Sequence, residues 1–89
     1  MSAQELAAKY ITAMEKTLEC TRRISAPIAL SEERIEEIFG YVKAYLEDAK
    51  YFLSQTKFET SLVSIAYCEG LLDALKLMGA VNISGSKRQ

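Results

Sequence analysis

Histidine and tryptophan are absent from the 89 residues, and proline occurs once. Without histidine the chain lacks both the commonest general base and the commonest metal ligand. A serine, threonine or cysteine nucleophile would have to rely on a carboxylate or lysine for activation. There is no glycine-rich phosphate loop and no paired-cysteine metal motif. We therefore expect no catalytic residues, no metal and no cofactor, and do not expect an enzyme. Charge of one sign is missing too: 11 basic residues are interspersed with 12 acidic ones, for a net charge of −1. No broad field draws nucleic acid or an anionic membrane to such a surface. Long hydrophobic runs are lacking as well, because the most apolar stretch, residues 58–81, is broken by Glu69, Asp73 and Lys76. The N-terminus has neither the basic start nor the continuous apolar core of a signal peptide, which points to the cytoplasm. Cys20 and Cys68 lie far apart within apolar helical patterns and read as two reduced core thiols. Asn82-Ile83-Ser84 matches a glycosylation sequon, a chance match in a chain without secretion signals.

What is present is helical periodicity. The hydrophobic share is 49% and the charged share 26%, ordinary values for a globular domain. A chain this short supports one core, so residues 1–89 form one domain, with 83–89 a frayed Ser/Gly-rich tail. Ser2 and Glu5 have capping-box spacing, and Leu6, Tyr10, Met14, Thr17, Leu18 and Thr21 then mark one helical face. Pro27 breaks the pattern and makes residues 24–30 a loop. Ser31 is placed as the next N-cap, with Glu32 and Glu33 at the positive end of the helix dipole. Ile35, Ile38, Phe39, Val42, Leu46, Ala49 and Leu53 give a near-heptad seam. Thr56 and Glu59 suggest another capping box, and Gly79 a left-handed C-terminal cap. The reading is all-α, with helices over residues 3–22, 32–54 and 57–78 joined as an up-down-up antiparallel three-helix bundle. Ile11, Met14, Leu18, Ile35, Val42, Leu46, Ile65 and Leu72 are its expected buried residues.

The third segment has more hydrophobic surface than one face requires. Phe58, Leu62, Ile65, Cys68, Leu72 and Leu75 form one stripe at helical spacing. Val63, Tyr67, Leu71, Ala74 and Met78 form a second on roughly the opposite side, beside Gly70. A helix on the surface of a small bundle needs one such stripe, so the second calls for a partner, within the fold or beyond it. Gly70 costs about 1 kcal/mol against alanine in a helix interior, which suits a site where another backbone approaches closely.

The stretch Ala49-Lys50-Tyr51-Phe52-Leu53, then Phe58, then Ala66-Tyr67-Cys68-Glu69-Gly70-Leu71-Leu72-Asp73-Ala74-Leu75 resembles a family of short archaeal proteins, domain of unknown function 357. The resemblance covers the whole chain and implies a compact three-helix bundle, with no activity attached. It also implies a glycine in the turn between the second and third helices, where Ser54-Gln55-Thr56-Lys57 has none.

Three functional readings follow. The first is an association or adaptor module working through Val63, Tyr67, Gly70, Leu71, Ala74 and Met78, its partner a second copy or another protein. The second is a small-ligand or cation site at Glu69 and Asp73, one helical turn apart, with Tyr67 or an arginine such as Arg23 or Arg34 nearby. Two carboxylates are few ligands for a metal, and both suit a solvent edge where Lys76 pairs with Asp73. The third is nucleic-acid contact through Arg22, Arg23 and the Lys87-Arg88 tail. The aromatic line Tyr41, Tyr45 and Phe52 lacks the interleaved basic residues that stacking on bases uses, and carries Asp48 instead.

Overall fold

The computed structural model describes residues 1–83. Three helices make up the fold: α1 over Ala3–Cys20, α2 over Glu32–Ser54 and α3 over Phe58–Leu77. Among the described residues there is no strand, so the architecture is all-α and compatible with a three-helix bundle. No helix is long and apolar enough to cross a membrane.

Local chemistry accounts for the helix ends. Ser2 Oγ accepts from the Glu5 amide at 3.1 Å, and the Ser2 amide donates to Glu5 Oε1 at 2.9 Å, so the first capping box forms as spaced. The bond from the Ser2 amide, with a smaller contribution from the Ser2 side chain, favours the ionised carboxylate and holds Glu5 below the ordinary carboxylate pKa. Ser31 caps α2 by accepting from the Arg34 amide at 3.1 Å. α1 stops at Cys20 rather than at residue 22, with Thr21 already extended. Arg22 then folds back, its guanidinium donating to the Glu19 carbonyl at 3.0 Å.

The expected Thr56–Glu59 capping box does not form; Lys57 is the N-cap of α3 and makes no side-chain cap bond. Thr56 is committed to ending α2 instead. It sits at φ +58°, while its amide bonds to Leu53 O and the Lys57 amide to Phe52 O. That is a Schellman ending. In the turn where the family resemblance implies a glycine, the left-handed residue is a threonine. The same motif closes α3 with Gly79 at φ +77°, where the Gly79 and Ala80 amides bond to Lys76 O and Leu75 O.

The short turn folds α2 and α3 into an antiparallel hairpin, the packed part of the molecule. Ser61 Oγ donates to the Ala49 carbonyl at 2.8 Å, and Cys68 Sγ to the Val42 carbonyl at 3.2 Å. Moving from one contact to the other advances along α3 by as many residues as it retreats along α2, which sets the antiparallel register. The seam runs through Ile35, Ile38, Val42, Tyr45, Ala49 and Phe52 of α2 against Ser61, Ser64, Cys68, Leu71 and Leu75 of α3, all buried or half-buried. Both lines step by three and four residues, as helices crossing at a shallow angle require. Leu75 is fully enclosed.

α1 is where expectation and structure part. Among the described residues its backbone does not come close to α2 or α3; only its first turns border α3, across a groove at Leu6 and Tyr10, and it contains no buried residue. Ile11, Met14 and Leu18, expected in the core, are 57–64% exposed, and Cys20 is an exposed thiol. Leu46 is exposed also, for it lies at the edge of the seam. Of the other expected core positions, Val42 is buried and Ile35, Ile65 and Leu72 are half-buried. The open arrangement is visible in the radius of gyration, 15.9 Å against about 12 Å for a compact chain of this length. The tail expected to fray lies outside the described residues except for Ile83, which is half-buried.

Candidate association surface

The hairpin has two broad faces, and helical phase assigns the two stripes of α3 to different ones. Tyr45 and Tyr67 meet edge to face across the seam, ring centroids 4.5 Å apart at 81°. That contact places the flank of α2 bearing Ile38, Tyr41, Tyr45 and Phe52 on the same side as Val63, Tyr67, Leu71, Ala74 and Met78. Two patterns that are separate in the sequence thus form one largely apolar face, called here the tyrosine face, with exposed Asp48 on the line between Tyr45 and Phe52. It is mostly exposed: Val63, Tyr67, Met78 and Tyr41 are 51–68% exposed, Ala74 is exposed and Leu71 half-buried, while Leu6 and Tyr10 of α1 stand across a groove from its Val63 end. Residues 24–30 do not cover it.

The opposite face, called here the leucine face, carries Phe39, Leu46 and Leu53 of α2 beside Phe58, Leu62, Ile65 and Leu72 of α3. Phe58, Leu62 and Leu53 are more than half exposed. A shallow recess at one end is lined by Glu32, Ile35, Glu36, Phe39 and Ala80.

Gly70 lies on the outward side of α3, and a Cβ there would meet nothing within 4 Å. Among the described residues no other backbone approaches it. An open groove of about 500 Å³ separates the start of α1 from the start of α3, between Leu6 and Tyr10 on one side and Glu59, Thr60 and Val63 on the other.

The remaining candidates are not brought together into one site. Glu69 is exposed and Asp73 half-buried on the outer edge of the leucine face, and neither lines the grooves above. Among the described residues no three His, Cys, Asp or Glu side chains cluster closely enough to hold a metal ion. Tyr67 faces the other side of the hairpin, away from the acidic pair. Arg22 and Arg23 are exposed beyond the end of α1, Arg22 occupied with the Glu19 carbonyl, while Lys87 and Arg88 lie outside the described residues. Arg34 pairs with Glu37 at 3.7 Å on the surface.

Ser61 and Ser64 are the contact residues that hydrophobicity alone misses. Both fall on the three-four spacing of the α3 seam, and their small side chains let α3 approach Ala49 closely while each hydroxyl stays polar. The spacing is legible in the sequence, but serine is not counted as apolar, so hydrophobicity alone points to the neighbouring stripe.

A family model described as "Protein of unknown function (DUF357)" matches residues 9–81, from the second turn of α1 past the glycine cap of α3. No curated protein and no solved structure matches the chain. The match takes in all three helices, the seam and both faces of the hairpin, and this chain therefore belongs to the DUF357 family of proteins of unknown function.

Proposed function

We propose that the protein is a non-catalytic association module of the archaeal cytoplasm, its working surface the tyrosine face. The observation that carries this reading is the Tyr45–Tyr67 contact, which joins the α2 aromatic flank to the second α3 stripe in one exposed apolar surface. Large contiguous apolar patches on small soluble domains mark interaction sites. Aromatic residues anchored by one edge and bare on the other give contact area at low entropic cost. Covering about 400 Å² of apolar surface on each of two partners contributes about 20 kcal/mol at about 25 cal/mol per Å². Association costs about 4–15 kcal/mol, with side-chain ordering and polar desolvation added to it, and burial of this face is the term that opposes those costs. The absence of histidine supports a role without general-base chemistry. Gly70 on the outward side of α3 supports close approach by another chain.

The partner is a second copy or a different protein presenting an apolar helix. Light scattering on the wild type and on Val63→Glu tests the reading. Val63 is exposed, so the charge leaves the hairpin folded and helical by circular dichroism while dispersing the complex. A wild type that stays monomeric at millimolar concentration, and that binds the same proteins as Val63→Glu in a pull-down, overturns it.

A further inference from the structure

We propose that α1 is a built-in cover for the tyrosine face, closing parallel to α3 onto the Val63 end of that face in its own chain and competing there with the partner. The proposal rests on the association reading and adds how that surface is regulated.

The first support is position. The helix that borders the tyrosine face is the chain's own α1, whose Ala3, Leu6, Ala7 and Tyr10 stand across open grooves from Glu59, Thr60 and Val63. The side turned to α3 is thus the apolar one. α1 contains no buried residue, so all of this side gains burial on closing. A second copy arrives from free solution, whereas a helix tethered in this way acts at an effective concentration of the order of millimolar.

The second support is the tether, which fixes the direction of closing. With the start of α1 held at Thr60 and Val63, a parallel seat brings Cys20 level with Asp73. That is about 8 Å along the axis from the level of Glu32 in the hairpin register. An antiparallel seat puts Cys20 about 43 Å from that level, at or beyond the full stretch of residues 21–31, about 36–40 Å. Neighbouring antiparallel helices need only about two to eight joining residues. The surplus in residues 21–31 lets α1 stand off, as it does here, or close.

The third is charge. Asp48 interrupts the aromatic line of Tyr41, Tyr45 and Phe52 with an exposed carboxylate, and among the described residues it forms no ion pair. The register in which Ser61 meets Ala49 puts Asp48 level with Leu62. The groove register puts Lys9 of α1 at that same level, within about 4 Å along the axis. In the parallel seat, helical phase turns Lys9 and Lys16 to the α2 edge and Glu15 to the outer edge of α3. Exposed Lys9, which also forms no ion pair among the described residues, therefore meets Asp48. Tyr10 comes level with Val63 and Met14 with Tyr67, which carries the apolar contact past the groove.

The test uses the full chain with Met14→Cys and Tyr67→Cys on a Cys20→Ser background, Cys68 being buried. Met14 and Tyr67 are more than half exposed, so the hairpin keeps its core. Closing predicts a disulfide within one chain, formed at a rate independent of protein concentration. It should form faster than in a Met14→Cys, Glu69→Cys control, whose second thiol lies near the same level on the other face. Lys9→Glu should slow the linkage about two- to fivefold, and Asp48→Lys added to it should restore the rate. No linkage, linkage between chains, a control as fast, or a rate unmoved by Lys9→Glu overturns the cover. Met14→Glu tests the competition, because a charge on the underside of α1 frees the face. By light scattering this variant should associate more tightly than wild type by the reciprocal of the open fraction, about threefold if two molecules in three are closed. Association no tighter than wild type overturns the inference. In any of these failures, dispersal of the wild-type complex by Val63→Glu leaves the association reading standing. Wild type and Met14→Glu that both stay monomeric, and that bind the same proteins as Val63→Glu, remove both.

Discussion

Replacing Thr56 by glycine should make the protein more stable. Thr56 holds φ +58° so that its amide and that of Lys57 can close the end of α2. In the left-handed region a Cβ crowds the following carbonyl, which costs an L residue about 1–2 kcal/mol; β-branched residues are least suited to it. Glycine removes that cost but gives back about 0.4–1 kcal/mol through the greater freedom of the unfolded chain. It also gives up the exposed bond from Thr56 Oγ1 to the Gln55 carbonyl, 2.6 Å long. An exposed bond of this kind contributes little once water replaces it. The net expectation for Thr56→Gly is a gain of about 0.5–1 kcal/mol. Urea unfolding at one fixed protein concentration should show a higher midpoint at unchanged slope. The melting temperature should rise by roughly 2–6 °C. Gly79→Ala is the converse: φ is +77° and the added Cβ meets nothing within 4 Å. Only backbone strain acts there, and stability should fall by about 1 kcal/mol. Thr56→Ala keeps a Cβ and should stay within about 0.5 kcal/mol of wild type. If Thr56→Gly is no more stable than Thr56→Ala, the left-handed strain assigned to this turn is wrong.

Two further outcomes follow from α1. The Glu5 carboxyl is held below its ordinary value of 4.5 by its bonds to Ser2, so its stabilisation of the α1 N-terminus is complete above that pH. It is lost as pH falls through the lowered value; amide shifts of residues 2–6 should report fraying there, and Ser2→Ala, which keeps the backbone donor but removes the hydroxyl, should weaken that acid dependence without abolishing it. The two thiols should also differ, Cys20 reacting rapidly with an aromatic disulfide reagent and Cys68 only on unfolding. Equal rates would contradict the buried bond from Cys68 to the Val42 carbonyl.

The chain's local chemistry determined its helices. The Ser2–Glu5 and Ser31 caps, the break at Pro27 and the Gly79 ending each depend on neighbours within a few residues, and each stands where the spacing placed it. α2 runs over the expected residues and α3 is one residue shorter at each end. The two stripes of α3 were equally legible, since side-chain phase on a helix follows from residue number alone. Partnership was not, because it depends on how whole helices meet. Threonine could serve either as the N-cap of α3 or as the left-handed residue ending α2, and the path of the chain through the hairpin decided for the second. Ser61 and Ser64 joined the seam because antiparallel register turned them toward α2, Ser61 onto the Ala49 carbonyl, where small side chains allow close packing. Only the hairpin's register united Tyr45 with Tyr67 and made one face of two patterns. The apolar face of α1 was plain in the sequence, but amphipathicity states that a helix needs a partner without naming it. The tertiary structure leaves that face open, with Ile11, Met14 and Leu18 in solvent, because among the described residues no element packs against it.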